Sequence, residues 1–291
     1  MKVALFLGCN IPARVPQYEV SARAVLGQLE VDVVDVREFN CCGYPLRNMD
    51  LKAYLLFSAR NLALAEKKEL PVMTLCQCCF GSLKKADHLL KTNSDLREEM
   101  NGYLKKEGLS FQGKIEVKHL LTVLHKDIGI SRLKEKISSG FKNLKIATHY
   151  GCHVLRPSDV MQFDNPVAPV LFDQLVTITG AKSVDWPLKL ECCGAPVRGV
   201  NDRLSMDLTE KKLSSGKAAG ADYLCVACPW CHLQFDSVQR TITQKQNTNH
   251  PLPSVVFPQL LGLAMGISKD ALGMDQNQTD VSKIDAFLSQ E

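Results

Sequence analysis

Three observations predict an α/β fold made of two pseudo-symmetric, Rossmann-like halves with parallel sheets. The cysteines repeat in the same order in each half of the 291-residue chain. Short apolar runs alternate with helical patterns, as they do in parallel-sheet proteins. Each cysteine group falls just after an apolar run. In an open parallel sheet that places it at the carboxyl-end rim, where ligands gather.

The repeat organises the rest of the reading. The first half has Cys9, then Cys41–Cys42, then the C-x-x-C of Cys76 and Cys79. The second has Cys152, then Cys192–Cys193, then the C-x-x-C of Cys228 and Cys231. The first gap spans 31 residues in one half and 39 in the other; the second spans 33 and 34. The flanks agree too, "VALFLGC" with "IATHYGC" and "CCGYP" with "CCGAP". Ten of the twelve cysteines belong to this duplication, and Cys78 and Cys225 do not.

The elements follow in order. "KVALFLG", "VDVVDV" and "PVMTL" read as strands of the first half, "LKIATHY" and "DYLCVA" as strands of the second. Asp50–Leu70 is a long amphipathic pattern without Gly or Pro. Val167–Thr179 and Asn201–Ala219 are weaker helical patterns, the latter loosened by Gly216. The segment 113–143, with "IEVKHLLTVLHKDIG" and "RLKEKI", reads as a helix and a polar connector. Its counterpart is "VVFPQLLGLAMGIS". The last twenty or so residues are polar and read as a tail lying on the surface or reaching a partner. The domains are then 1–143, including the connector from about 113, and 144–291.

Composition narrows the class. With 45% hydrophobic and 23% charged residues the chain is ordinarily globular. Its net charge of +4 is mild. The pairs Lys67–Lys68, Lys84–Lys85 and Lys211–Lys212 read as solvated helix faces, and no basic tract suits nucleic acid or anionic lipid. "VVFPQLLGLAMGI" is interrupted by Pro and Gln and is too short to span a bilayer. "MKVALFLGCN" reads as a buried strand rather than a signal peptide. The expectation is a soluble, cytoplasmic protein.

In that compartment twelve cysteines point to metal or redox chemistry rather than to disulfides. Five thiols per half are one too many for a single tetrahedral zinc. The full C-x-x-C-x-x-C-x-x-x-C run of common cubane clusters is absent. Thiolate cages favour iron–sulfur or zinc, and motif and composition together favour iron–sulfur.

The arrangement resembles the cysteine-rich CCG domain. The whole chain is similar to the catalytic B subunits of heterodisulfide reductase and their bacterial homologues. The matching stretches are "GCNIPARVPQYEVSARAVL", "HYGCHVLRPSDV", "CCGAP", "CPWCHLQFD" and "FPQLLGLAMGI". The second gap is slightly short of the family's range, a difference that loop closure tolerates.

The resemblance implies two noncubane [4Fe–4S] clusters. Cys9, Cys41, Cys42, Cys76 and Cys79 would hold the first, and Cys152, Cys192, Cys193, Cys228 and Cys231 the second. It implies a small disulfide between them, such as the heterodisulfide of the methanogen coenzymes, cleaved by one electron from each. It also implies two partners, a ferredoxin-like iron–sulfur subunit and a flavin subunit. Neighbouring thiolates such as Cys41–Cys42 can serve two irons of an opened cluster. A two-electron disulfide reduction suits a duplicated domain.

Other residues carry weaker expectations. Cys78 reads as an unused buried thiol or an alternative ligand, and Cys225 as core packing. Gly43 and Gly194 are expected to permit a tight turn beside each cluster. His149, His153 and His232 read as hydrogen-bond partners of backbone or cluster sulfur. His153 and His232 are candidate proton donors to product thiolates. Arg156 and Arg198 read either as surface residues or as clamps for an anionic substrate arm. Two other functions remain open. One is a CCG subunit of a sulfur-oxidising, lactate or glycolate, or succinate or fumarate complex. The other is a non-enzymatic zinc scaffold.

Overall fold

The computed structural model describes residues 1–246 and 252–289. It contains two parallel four-stranded sheets with the same strand order. In the first, β1 (Lys2–Phe6), β2 (Asp32–Asp35), β3 (Val72–Thr74) and β4 (Val117–His119) lie in the order β2-β1-β3-β4. In the second, β5 (Lys145–His149), β6 (Lys182–Val184), β7 (Tyr223–Val226) and β8 (Ser254–Val256) lie in the order β6-β5-β7-β8. Register agrees as well: Ala4 pairs with Val72 as Ile146 pairs with Tyr223. The central strands are apolar and buried because helices cover both sheet faces. In each sheet the chain reverses its order between the first and third strands, which opens a crevice at their carboxyl ends.

Three expected helices are present as Leu51–Lys67, Leu171–Ile178 and Asp202–Ala218. Asp50 caps the first and Asn201 the third, each accepting a backbone N–H with its side chain. The connector differs from expectation, since it begins with a strand, β4. The strands β4, β6 and β8 have only three residues each, too few to show a period of two.

The two halves exchange their last helical elements. Phe257–Ala264, which follows β8, packs on the Pro16–Gln28 helix of the first half. The helical segment that follows β4 ends in Ile130–Glu135, which packs on Leu171–Ile178 of the second half.

The polar C-terminal segment is no free tail. Leu272, Met274, Val281 and Ile284 are buried. The Asp236 carboxylate accepts the backbone N–H groups of Gln278 and Thr279 at 2.7–2.9 Å, and Leu288 bridges to Phe141. Its few apolar residues are spaced too irregularly to announce this docking. Lys212 is another departure. It is only 2% exposed, although its sequence reads as a charged helix face.

Candidate metal centre

The thiols stand where the strands end. Cys9 follows β1, Cys41–Cys42 lie in the loop after β2, and Cys76 and Cys79 sit at the start of the Gln77–Thr92 helix after β3. Cys152, Cys192–Cys193, Cys228 and Cys231 repeat these places after β5, β6 and β7. The lone Cys and the first Cys of each pair are open to solvent to some degree, and the other six are buried.

Within each half the thiols touch in one sequence. In the first it runs Cys9–Cys41–Cys42–Cys79–Cys76. In the second it runs Cys152–Cys192–Cys193–Cys231–Cys228. The two rows meet where Cys76 touches Cys228. Cys78 is wedged at the junction, its Sγ within 4.8 Å of both.

The electrostatics repeat too. Sharing of protons with neighbouring thiols holds Cys41 and Cys192 far below the usual thiol range. Backbone N–H groups assist, with Gly194 donating to Cys192 Sγ at 3.4 Å. The same sharing, then burial, pushes Cys9 and Cys152 well up. Cys42 and Cys193, beside those anions, are pushed up to about 12. Five crowded thiols cannot all ionise against one another. A polycationic centre that binds thiolate would remove the conflict. Two buried polar groups also border the cages. Asn10, whose Nδ2 has no partner among the described residues, lines the opening over the first, and a ring nitrogen of His149 lies within 4.8 Å of Cys193 Sγ and Cys231 Sγ in the second. The all-thiolate donor set fits iron–sulfur.

The vicinal pairs are held by matched contacts. Gly43 and Gly194 adopt φ of +81° and +94°. A Cβ would stand 2.8 Å from Tyr54 O at Gly43 and 2.6 Å from Ser205 O at Gly194, so both turns require glycine. Ser58 Oγ donates to Cys42 O at 2.7 Å, and Thr209 Oγ1 to Cys193 O at 3.1 Å. Gln234, on a π-helical stretch, donates to Thr209 Oγ1 at 2.8 Å and to Ser205 Oγ at 3.0 Å. None of these hydroxyls has a sequence signal beyond lying 16 residues after its cysteine in both halves.

A cleft of about 210 Å³ lies over the second cage. Tyr44, Pro45, Cys78 and Trp230 line both it and the smaller opening over the first cage, so they form the partition. His153 faces this cleft. Its Nδ1 is 3.3 Å from Cys78 Sγ and 3.8 Å from Cys152 Sγ, and its Nε2 is 3.5 Å from Tyr44 Oη. Arg198 also lines the cleft, whereas Arg156 is exposed and away from it.

His232 does not join the thiols. It is buried between Gln17, 3.2 Å away, and Asp236, 3.6 Å away. Cys225 lies in β7 at 0% exposure, and burial alone raises its pKa. His119, which carried no sequence signal, has its Nε2 3.2 Å from Leu75 O and 3.1 Å from Ala227 O. Those carbonyls immediately precede Cys76 and Cys228.

The cysteine-rich domain family named CCG matches twice, over residues 3–84 and 146–236. The chain belongs to the CCG cysteine-rich domain family. Within this family it is 40% identical over 280 residues to the B subunit of the ferredoxin:CoB-CoM heterodisulfide reductase of Methanosarcina mazei, covering 95% of this chain and 93% of that protein. It is 32% identical to a protein of Archaeoglobus profundus described as like the B subunit of heterodisulfide reductase, covering 93% and 92%. It is also 32% identical to the 8-methylmenaquinol:fumarate reductase membrane anchor subunit of Wolinella succinogenes, covering 97% and 98%. Among solved structures, a hypothetical protein from Helicobacter pylori matches this CCG fold with a TM-score of 0.77 at 20% identity. The match covers 97% of this chain and 52% of that one. Among the described residues no helix is long and apolar enough to cross a membrane.

Proposed function

We propose that this chain is the disulfide-reducing iron–sulfur subunit of a multi-subunit reductase. Its five first-half cysteines would hold one noncubane [4Fe–4S] cluster and its five second-half cysteines another. The observation that carries this reading is the pair of matched thiol rows that meet at Cys76 and Cys228 beside one cleft. When bound, the clusters supply one electron each to a substrate S–S bond. That bond breaks, two protons are taken up, and two thiols leave.

The chain's own residues do the rest. Tyr44, Pro45 and Trp230 wall the cleft. Arg198 stands at the cleft to meet an anionic arm of the substrate. Burial lowers the His153 pKa and leaves the ring neutral, so it is placed to relay a proton, giving one from Nε2, beside Tyr44 Oη, to a product thiolate as Nδ1 takes one up. His232 faces away and takes no part in proton transfer. Electrons would come from a ferredoxin-like iron–sulfur partner subunit fed by a flavin subunit, in the cytoplasm.

A second reading is supported by the Wolinella relative, named as part of a fumarate reductase. In it the clusters exchange electrons with a quinone-linked enzyme and no disulfide is bound. The test is anaerobic purification with iron and sulfide analysis, followed by EPR with and without candidate thiols and disulfide turnover with a reduced iron–sulfur partner. A thiol-dependent EPR change with turnover supports the disulfide reading. A loaded protein blind to every thiol favours the second. A zinc-loaded, iron-free protein defeats both.

A further inference from the structure

Among the differences between the matched cages, two bear on charge and hydrogen bonding beside the sulfurs. Aligning Cys9 with Cys152 sets Phe6 opposite His149. Aligning Cys42 with Cys193 sets Asn61 opposite Lys212, each 19 residues beyond its cysteine. Phe6 is buried against Phe39. His149 is equally buried, with a ring nitrogen within 4.8 Å of Cys193 Sγ and Cys231 Sγ.

Asn61 and Lys212 hold the loop before their vicinal cysteines in different ways. The Asn61 amide donates to Cys41 O at 3.1 Å and accepts from Asn40 N at 2.9 Å, without charge. The Lys212 ammonium donates to Leu188 O and, at 3.0 Å, to Glu191 O, and it lies 4.7 Å above the Trp186 ring. Among the described residues no carboxylate lies within 4.0 Å of it. A buried cation needs a counter-charge. The groups that most favour its charge are Cys231 and Cys193, followed by Glu191. Burial draws the ammonium down to about 8, which still leaves it charged at neutral pH. In both halves the strongest influences on the thiols are one another, and only in the second does a buried ammonium hold the loop that leads into the vicinal pair.

We propose that Lys212, with His149, makes the second cage the more electron-attracting of the two, so that the first electron to arrive rests there. This rests on the reading that each half holds a cluster. Reduction adds negative charge, and a fixed cation nearby in a poorly polarisable interior stabilises the reduced state. Net charge and hydrogen bonds near the sulfurs are among the factors that set such potentials. Lys212 and His149 are positioning residues here and need not touch substrate.

The test uses full-length protein with one cage broken. Cys193→Ala leaves the first cluster to be titrated alone, and Cys42→Ala leaves the second. Anaerobic redox titration followed by EPR should place the second cluster higher by at least a tenfold change in electron occupancy, ~59 mV for one electron. Adding Lys212→Gln should remove most of that difference in the second-cage protein and shift nothing in the first-cage protein. His149→Phe should act in the same direction. If Lys212→Gln does not fold, the comparison of the two single-cage proteins and the His149→Phe variant still decide. Equal potentials, or equal shifts in both backgrounds, overturn the inference. Failure of both single-cage proteins to bind iron and sulfide overturns instead the reading on which it rests.

Discussion

Cys78 Sγ lies 3.3 Å from His153 Nδ1, a contact that joins the end of β3 in one half to the end of β5 in the other. It places a cysteine outside the repeat at the seam between two repeated cages. Because Cys78 has no counterpart in the second half, where Trp230 stands, the ten repeated thiols are expected to suffice. Cys78→Ala should keep iron near normal, as should Cys225→Ala. Iron and sulfide analysis checks this, and loss of a whole cluster in the Cys78 variant would move Cys78 into the ligand set.

Breaking either cage should abolish turnover. Cys42→Ala and Cys193→Ala are expected to be similarly severe although they lie in different halves, because both one-electron centres must reach the same S–S bond. The assay is binding and turnover of each variant after showing that its other cluster is loaded. Near wild-type disulfide reduction with one cluster would end the shared-substrate mechanism.

The chain should not turn over alone. The ten repeated thiols serve the two cages, and the two left over, Cys78 and Cys225, are too few to hold a relay cluster, so electrons must come from a partner. Mixing with a reduced flavin donor, with and without an iron–sulfur partner, is the check. Steady turnover without the partner contradicts it.

Gly43→Ala and Gly194→Ala should each cost about 1–3 kcal/mol of stability, through strain at positive φ and the close carbonyl behind it. Ser58→Ala and Thr209→Val should cost about 1 kcal/mol by freeing the carbonyls of Cys42 and Cys193. Thermal melting measures both sets, and the glycine variants should also lose iron.

Acid should weaken the join between the halves. Burial pushes His119 down from 6.5 to about 4, with Cys228 and the two carbonyls pushing back less. The unfolded chain takes up the proton first as pH falls. The stabilisation from this group is therefore complete above pH 6.5 and is lost between there and pH 4, on the order of 3 kcal/mol. Melting across that window should fall more steeply for the wild type than for His119→Asn.

The doubled sheet and the thiol groups were legible because both are written locally. Apolar runs precede most of the cysteine groups, and the cysteines recur in order. The strands β4, β6 and β8 were not: they are as short as β3 but, unlike its run "PVMTL", their three residues include Lys or Ser. Lys212 was missed because its burial is decided by the Leu188–Glu191 loop and Trp186, which its own helix does not reveal. His232 adjoins a motif cysteine, yet its side chain points at Gln17 on another element. Adjacency in sequence says nothing about direction once a helix has begun.

The exchanged helices carry a consequence for how the protein is made. The partner of the Pro16–Gln28 helix is Phe257–Ala264, so the ribosome must pass residue 264 before that helix gains its cover. Long-range closure of this kind slows folding and favours one late cooperative step. The two halves therefore mature together. Iron delivery to the joined cages then comes late, and a first half still waiting for its partner helix exposes its thiols to oxidation.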